Sequence, residues 1–100
     1  MKTIMVRYKT AEAHADTNET LIRAVFAELR AQAPAGVRYA TYRLADRVTF
    51  IHIATAAAVN DNPLTSLPAF KAFQKQLGER CVEQPVLTEL PALESYGSPP

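Results

Sequence analysis

Between residues 2 and 90 the spacing of apolar residues changes from two to roughly four and back, twice over, and few folds accommodate that alternation. Ile4, Val6 and Tyr8 fall on one side of a run whose other side carries Thr3, Arg7 and Lys9, the period of a strand over 2–9. Residues 10–16 are small and polar and read as a loop. Asp16 followed by Glu19 has the spacing of a capping box. Leu21, Val25 and Leu29 then recur every fourth residue, widened by Ile22, Phe26 and Ala33. This pattern predicts an amphipathic helix of about 16 residues, closed by Pro34 and Gly36.

Two β-rich runs follow, 37–44 and 48–55, joined by Ala45-Asp46-Arg47 as a hairpin. Asn60, Asp61, Asn62 and Pro63 are turn formers, with Pro63 opening a short helical turn and Asn62 as its cap. Ser66 is the expected cap of a second helix carrying Leu67, Phe70, Phe73 and Leu77, which Gly78 ends or weakens before Cys81. After Pro85, residues 86–90 read as a last strand, and Pro91 marks a bulge or an edge. The order β-α-β-β-α-β predicts an α+β, ferredoxin-like fold: a four-stranded antiparallel sheet with both helices on one face. One domain over 1–96 and a flexible tail over 97–100 are expected.

Two helices cover one face of such a sheet, yet both faces of the central strands are apolar. Ile51 and Ile53 oppose Val48, Phe50 and Ala54 in one strand, and Ala40, Tyr42 and Leu44 oppose Val37 and Tyr39 in the other. A small domain rarely leaves so large an apolar patch in water, so a homodimer joined face to face is expected. The formal net charge of +1 gives no electrostatic reason to expect nucleic acid or an anionic membrane as partner. One cysteine permits no disulfide within the chain. With no signal-peptide pattern and no apolar run long enough to span a bilayer, a cytoplasmic protein is the expectation.

The opening MKTIMVRYK, the run RVTFIHIAT, and the stretch NPLTSLPAFKAFQKQL leading into VLTEL resemble the dimeric α+β barrel superfamily, most of all its antibiotic-biosynthesis-monooxygenase-like branch. The resemblance covers nearly the whole chain. It implies two sheets from two subunits closed into a barrel with helices outside, and a function among cofactor-independent monooxygenases of aromatic or enolisable molecules, with no cofactor. Haem-degrading members carry a Trp, His and Asn set, whereas this sequence has no Trp. Where many relatives place a His ahead of the second long helix, it reads Asn62-Pro63-Leu64.

His52 is the most informative residue for chemistry. It sits in the middle of the third strand between Ile51 and Ile53. With a two-residue hairpin loop, Tyr39, Thr41 and Arg43 share its face, with Phe50 beside it. An imidazole near a phenol and a guanidinium can bind and deprotonate an acidic phenol or enol. His52, Tyr39 and Arg43 are therefore the candidate catalytic residues, and Phe50, Tyr42, Asn62, Phe70 and Phe73 the candidate substrate contacts. Tyr39 and Tyr42 alternate along one strand, so only one of them can line a given cavity. The alternative is a non-catalytic homodimer, a small-ligand-binding or interaction module with His52 held inside an interface. Cys81 reads as a structural thiol and His14 as solvated. Two His and one Cys without ligand spacing predict no metal site.

Overall fold

The computed structural model describes residues 2–56 and 63–97. Over them the chain runs β1 (Lys2–Thr10), α1 (Glu12–Gln32), β2 (Arg38–Arg43), β3 (Thr49–Ala56), a 3-10 turn at Pro63–Ser66, α2 (Pro68–Lys75), α3 (Leu77–Arg80) and β4 (Cys81–Glu89). The strands form one antiparallel sheet in the order β2-β3-β1-β4. The expected ferredoxin-like α+β fold is the one observed.

Register decides which residues meet the helices. Val6 and Thr41 flank His52 on β3, Tyr8 and Arg43 flank Phe50, and Ile4 and Tyr39 flank Ala54. Directly opposed residues share a face, so all of these point the same way. On that face Tyr8, Phe50, His52 and Ala54 are buried, and Ala15, Ile22, Val25, Leu64, Leu67, Phe70 and Phe73 close over them from the helical side. The opposite face carries Met5, Ala40, Ile51 and Ile53, half-buried, with Tyr42 and Val86 exposed. Both helices therefore cover the Phe50 face.

Helix α1 begins a turn earlier than its sequence suggests. Residues 12–16, read as loop, are helical, and the cap is Ala11, which offers no side-chain hydrogen bond. The segment Glu12-Ala13-His14-Ala15 combines good helix formers with an acid at the positive helix end. A tertiary contact fixes the start: the Ala11 N–H donates to the Arg80 carbonyl at 2.9 Å. Asp16 and Glu19 consequently sit inside the helix and form no capping box. At the other end Ala33 adopts a left-handed conformation and donates its N–H to the Leu29 carbonyl, since Pro34 disfavours a helical residue before it.

The β2–β3 connection has four residues, because the Leu44 N–H donates to the Thr49 carbonyl at 2.9 Å. A two-residue loop would give the same pairings, so the expected face assignments hold. Asp46 organises the loop, accepting from the N–H groups of Val48 (3.0 Å) and Thr49 (2.9 Å) and from the Thr49 hydroxyl. Those bonds hold its carboxyl down at about 2, against an ordinary 3.8.

Three further expectations are corrected. Ser66 does not cap α2; its hydroxyl donates to the Pro63 carbonyl, and Leu67 precedes the helix. The second helix breaks at Gln76, with Gly78 inside α3. β4 starts at Cys81 rather than Val86, which places Cys81 in a strand opposite Thr10. Pro85 is tolerated there because β4 is an edge strand with a register shift between the partners of Arg7 and Lys9, and an extra residue at a bulge needs no ladder hydrogen bond. Asn62 and its capping role lie outside the described residues.

Phe50 is 1% exposed and stacked on Tyr8 at 5.6 Å, so Phe50→Ala is expected to destabilise the fold by about 3–5 kcal/mol in urea unfolding, the range for a buried aromatic; a loss below about 1 kcal/mol would contradict this packing. Because Asp46 binds its proton less readily folded than unfolded, the stability it adds is complete above about pH 5 and is lost as pH falls through about 2. The stability difference between the native chain and Asp46→Asn should follow that window in acid titrations and show no change between pH about 5 and 7.

Candidate functional site

Phe70 and Phe73 project from α2 across the sheet and leave a cavity of about 210 Å³ between helix and strands. Its walls are mostly apolar, with Val6, Phe70 and Phe73 prominent, and Tyr8, Tyr39, His52, Thr65 and Gln74 are the polar residues that line it. Leu87 on β4 also lines it and is 61% exposed, which marks the open side. An engineered apolar cavity of about 150 Å³ accepts benzene, so this space suits a single ring or a compact enol.

His52 is 6% exposed and has both ring nitrogens engaged. Nε2 lies 2.7 Å from the Tyr8 hydroxyl and Nδ1 2.5 Å from the Tyr39 hydroxyl. Tyr8, Tyr39 and Phe73 ring the imidazole with centroids 5.3–5.8 Å away. Burial therefore drives its pKa down from 6.5 to about 4, and the ring is neutral at physiological pH. Burial also raises the Tyr8 and Tyr39 hydroxyls above the usual phenol range, so both keep their protons.

The polar chain continues away from the cavity. Asn18, wholly buried on the inner stripe of α1, donates its amide to the Tyr8 oxygen at 2.8 Å. Arg80 donates Nε to the Asn18 carbonyl oxygen at 3.0 Å and Nη2 to the Phe73 carbonyl at 2.8 Å, with its guanidinium carbon 5.4 Å from the Phe73 ring centre. Five side chains from β1, α1, β2, β3 and α3 thus form one buried sequence: Arg80, Asn18, Tyr8, His52, Tyr39.

The structure brings His52, Tyr39, Phe70 and Phe73 together around the cavity, as the sequence suggests, and places the other candidates elsewhere. Arg43 shares the face but is held by Glu19 at 2.8 Å and Asp16 at 3.1 Å, with its guanidinium 5.5 Å from the Phe50 ring centre. That bond lowers the Glu19 carboxyl below its usual range. Phe50 lies behind Tyr8 and is absent from the cavity wall. Tyr42 is on the outer face, 53% exposed. A wider groove of about 480 Å³ between α1 and β2 contains Arg23 and Arg43, both paired with Glu19.

Sequence reading missed Tyr8, Asn18 and Arg80. Tyr8 is in phase with Ile4 and Val6, and a hydroxyl on an inward-facing position requires a buried partner. Asn18 falls in register with Ala15, Ile22 and Val25, a polar interruption of the buried stripe. Nothing local marks Arg80, because its burial depends on the break between α2 and α3.

No family model matches the chain, and no curated protein matches it. Solved structures do. Rv0793 from Mycobacterium tuberculosis superposes with a TM-score of 0.75 at 18% identity, covering 94% of this chain and 96% of that one. An antibiotic biosynthesis monooxygenase gives 0.76 at 12% identity, over 94% and 100% of the two chains. A variant of SnoaB, a cofactor-independent oxygenase from Streptomyces nogalater, gives 0.69 at 17% identity over 97% of each chain. At these identities the likeness is one of fold: the chain has the same ferredoxin-like architecture as these solved structures.

Proposed function

We propose that the chain takes a small aromatic or enolisable molecule into the cavity beside His52 and Tyr39 and promotes its oxidation by O₂ without a cofactor. The observation that supports this most is an imidazole between two phenols, set with Thr65 and Gln74 into a mostly apolar cavity of ring size. Such a site binds a flat apolar body and addresses a single oxygen on it. The similarity in fold to a cofactor-independent oxygenase points the same way.

The basicity of His52 constrains the substrate. Against a phenol with a pKa of about 10, an imidazole at about 4 is a weak base, and full proton transfer is uphill by roughly 8 kcal/mol. The fitting substrates are therefore acidic enols and quinol-like compounds that are already substantially ionised at neutral pH. The enolate carbon supplies an electron to O₂, and the two radicals combine into a carbon-bound peroxide. Loss of water from that peroxide leaves a ketone. Across the sequence a CH₂ group becomes C=O, O₂ is split between the ketone and water, and the substrate is the only reductant.

In this reading Tyr39 and His52 contact the substrate, and Phe70 and Phe73 hold its ring. Arg43 acts as a positioning residue, setting Phe50 and through it Tyr8. Tyr42 meets a second copy of the chain across the outer face of the sheet, with Ile51 and Ile53 beside it. One observation favours the non-catalytic alternative, a ligand-binding homodimer: both nitrogens of His52 are occupied within the protein.

Oxygen uptake with a panel of 1,3-dicarbonyls and quinols separates these readings. A catalyst is expected to exceed the uncatalysed rate and to lose about 10²-fold or more in His52→Leu, which removes the partner that orients the Tyr39 hydroxyl toward the substrate oxygen. Binding without uptake would leave the ligand-binding reading alone, and absence of both would remove the cavity from consideration. Sedimentation should give twice the chain mass, and Tyr42→Glu should shift it toward the monomer; a native monomer would contradict the proposed interface.

A further inference from the structure

Hydrogen-bond polarity has one fixed point in this core, and it lies at Arg80. A guanidinium donates and never accepts. Since Arg80 Nε lies 3.0 Å from an Asn18 amide atom, that atom must be the oxygen, and the NH₂ group must face Tyr8. The Tyr8 oxygen accepts this bond, so its own hydrogen is directed to its other partner, His52 Nε2 at 2.7 Å. Nε2 therefore carries no hydrogen. A neutral imidazole has one N–H, which is now on Nδ1 and donates to the Tyr39 oxygen. The hydrogen of Tyr39 remains, at the wall of the cavity.

From this geometry we infer that Arg80 and Asn18 are positioning residues that give the sequence a single direction, and that the cavity accepts a ligand oxyanion from the Tyr39 hydroxyl. Every bond in the sequence donates toward the cavity, so its last member has its hydrogen left to offer an occupant. The charge balance agrees: among the described residues Arg80 pairs with no carboxylate, and a buried cation at the far end of the sequence favours negative charge over positive at the cavity end. The class of ligand is thus an enolate or phenolate rather than a neutral hydroxyl that must give up its proton in place. This deepens the proposed function and rests on its binding reading; the polarity itself rests on the hydrogen bonds alone.

Asn18→Asp tests it by exchanging one NH₂ for an oxygen. The new carboxylate still accepts from Arg80 but can no longer donate to Tyr8. Tyr8 then donates to the carboxylate and accepts from Nε2–H, and Tyr39 donates to Nδ1. Long-range ¹H–¹⁵N spectra distinguish the two imidazole tautomers, and exposed His14 provides an internal control. His52 in the native chain is expected as the Nδ1–H form, and in Asn18→Asp as the Nε2–H form. An Nε2–H form in the native chain overturns the inference whatever the protein binds, and that measurement needs no variant to fold. Ligand preference is read with 4-nitrophenolate against 4-nitroaniline, similar in shape but opposite in hydrogen bonding. The native chain should favour the phenolate by tenfold or more, and both Tyr39→Phe and Asn18→Asp should abolish that preference. An Nδ1–H form without phenolate binding would sink the proposed ligand class and leave the polarity standing; a preference unchanged in Tyr39→Phe would overturn the assignment of the donor.

Discussion

Arg80 is a buried cation on a four-residue helix, and much of the molecule is arranged to satisfy it. Its side chain holds α1 through Asn18 and α2 through the Phe73 carbonyl, while its own carbonyl receives the Ala11 N–H that fixes the start of α1. Three helices and the β1–α1 junction therefore meet at one residue. A buried polar group left without its partner costs about 1–3 kcal/mol, and more when it is charged. The arrangement consequently stands or falls as a unit, and the side chains at the cavity inherit their orientation from it.

The sheet supplies the other half of the constraint. His52 faces the helices because Val6 and Thr41 flank it on either side, and the same register places Tyr8 beside Phe50. A slip of one residue in β3 would send His52 and Phe50 to the outer face and bring Ile51 and Ile53 inward. The four-residue turn organised by Asp46 fixes that register locally. Site and fold thus share one determinant, the pairing of β3 with both neighbours.

Most of this frame could be read from the sequence. The period of two at Ile4, Val6 and Tyr8, and the hairpin around Asp46, gave the strands and the face that His52 shares with Tyr39. Patterns failed where tertiary contacts overrode local preference. The spacing of Asp16 and Glu19 matched a cap, yet the Ala11–Arg80 bond moved the helix start and both carboxylates went to Arg43. Pro85 looked like the boundary of β4, but an edge strand with a bulge accommodates it. Of the candidate site, Phe70 and Phe73 were legible from helical spacing and Tyr39 as a residue sharing the face of His52; which face met the helices was not legible, because both are apolar. Arg43 was assigned to the right face, but periodicity carries no information about which of several charges it meets. Asn18 was discoverable as a polar residue on an apolar stripe; Arg80 was not, since no spacing announces a break that buries a guanidinium.

The bulge at Pro85 also bears on how this chain can associate. β4 runs along the margin of the sheet, where a foreign strand could otherwise dock and extend the ladder. A residue without an N–H, set in a strand that bends away from regular pairing, leaves a gap in the row of donors such a strand would need. Growth along that margin into open-ended ribbons is discouraged.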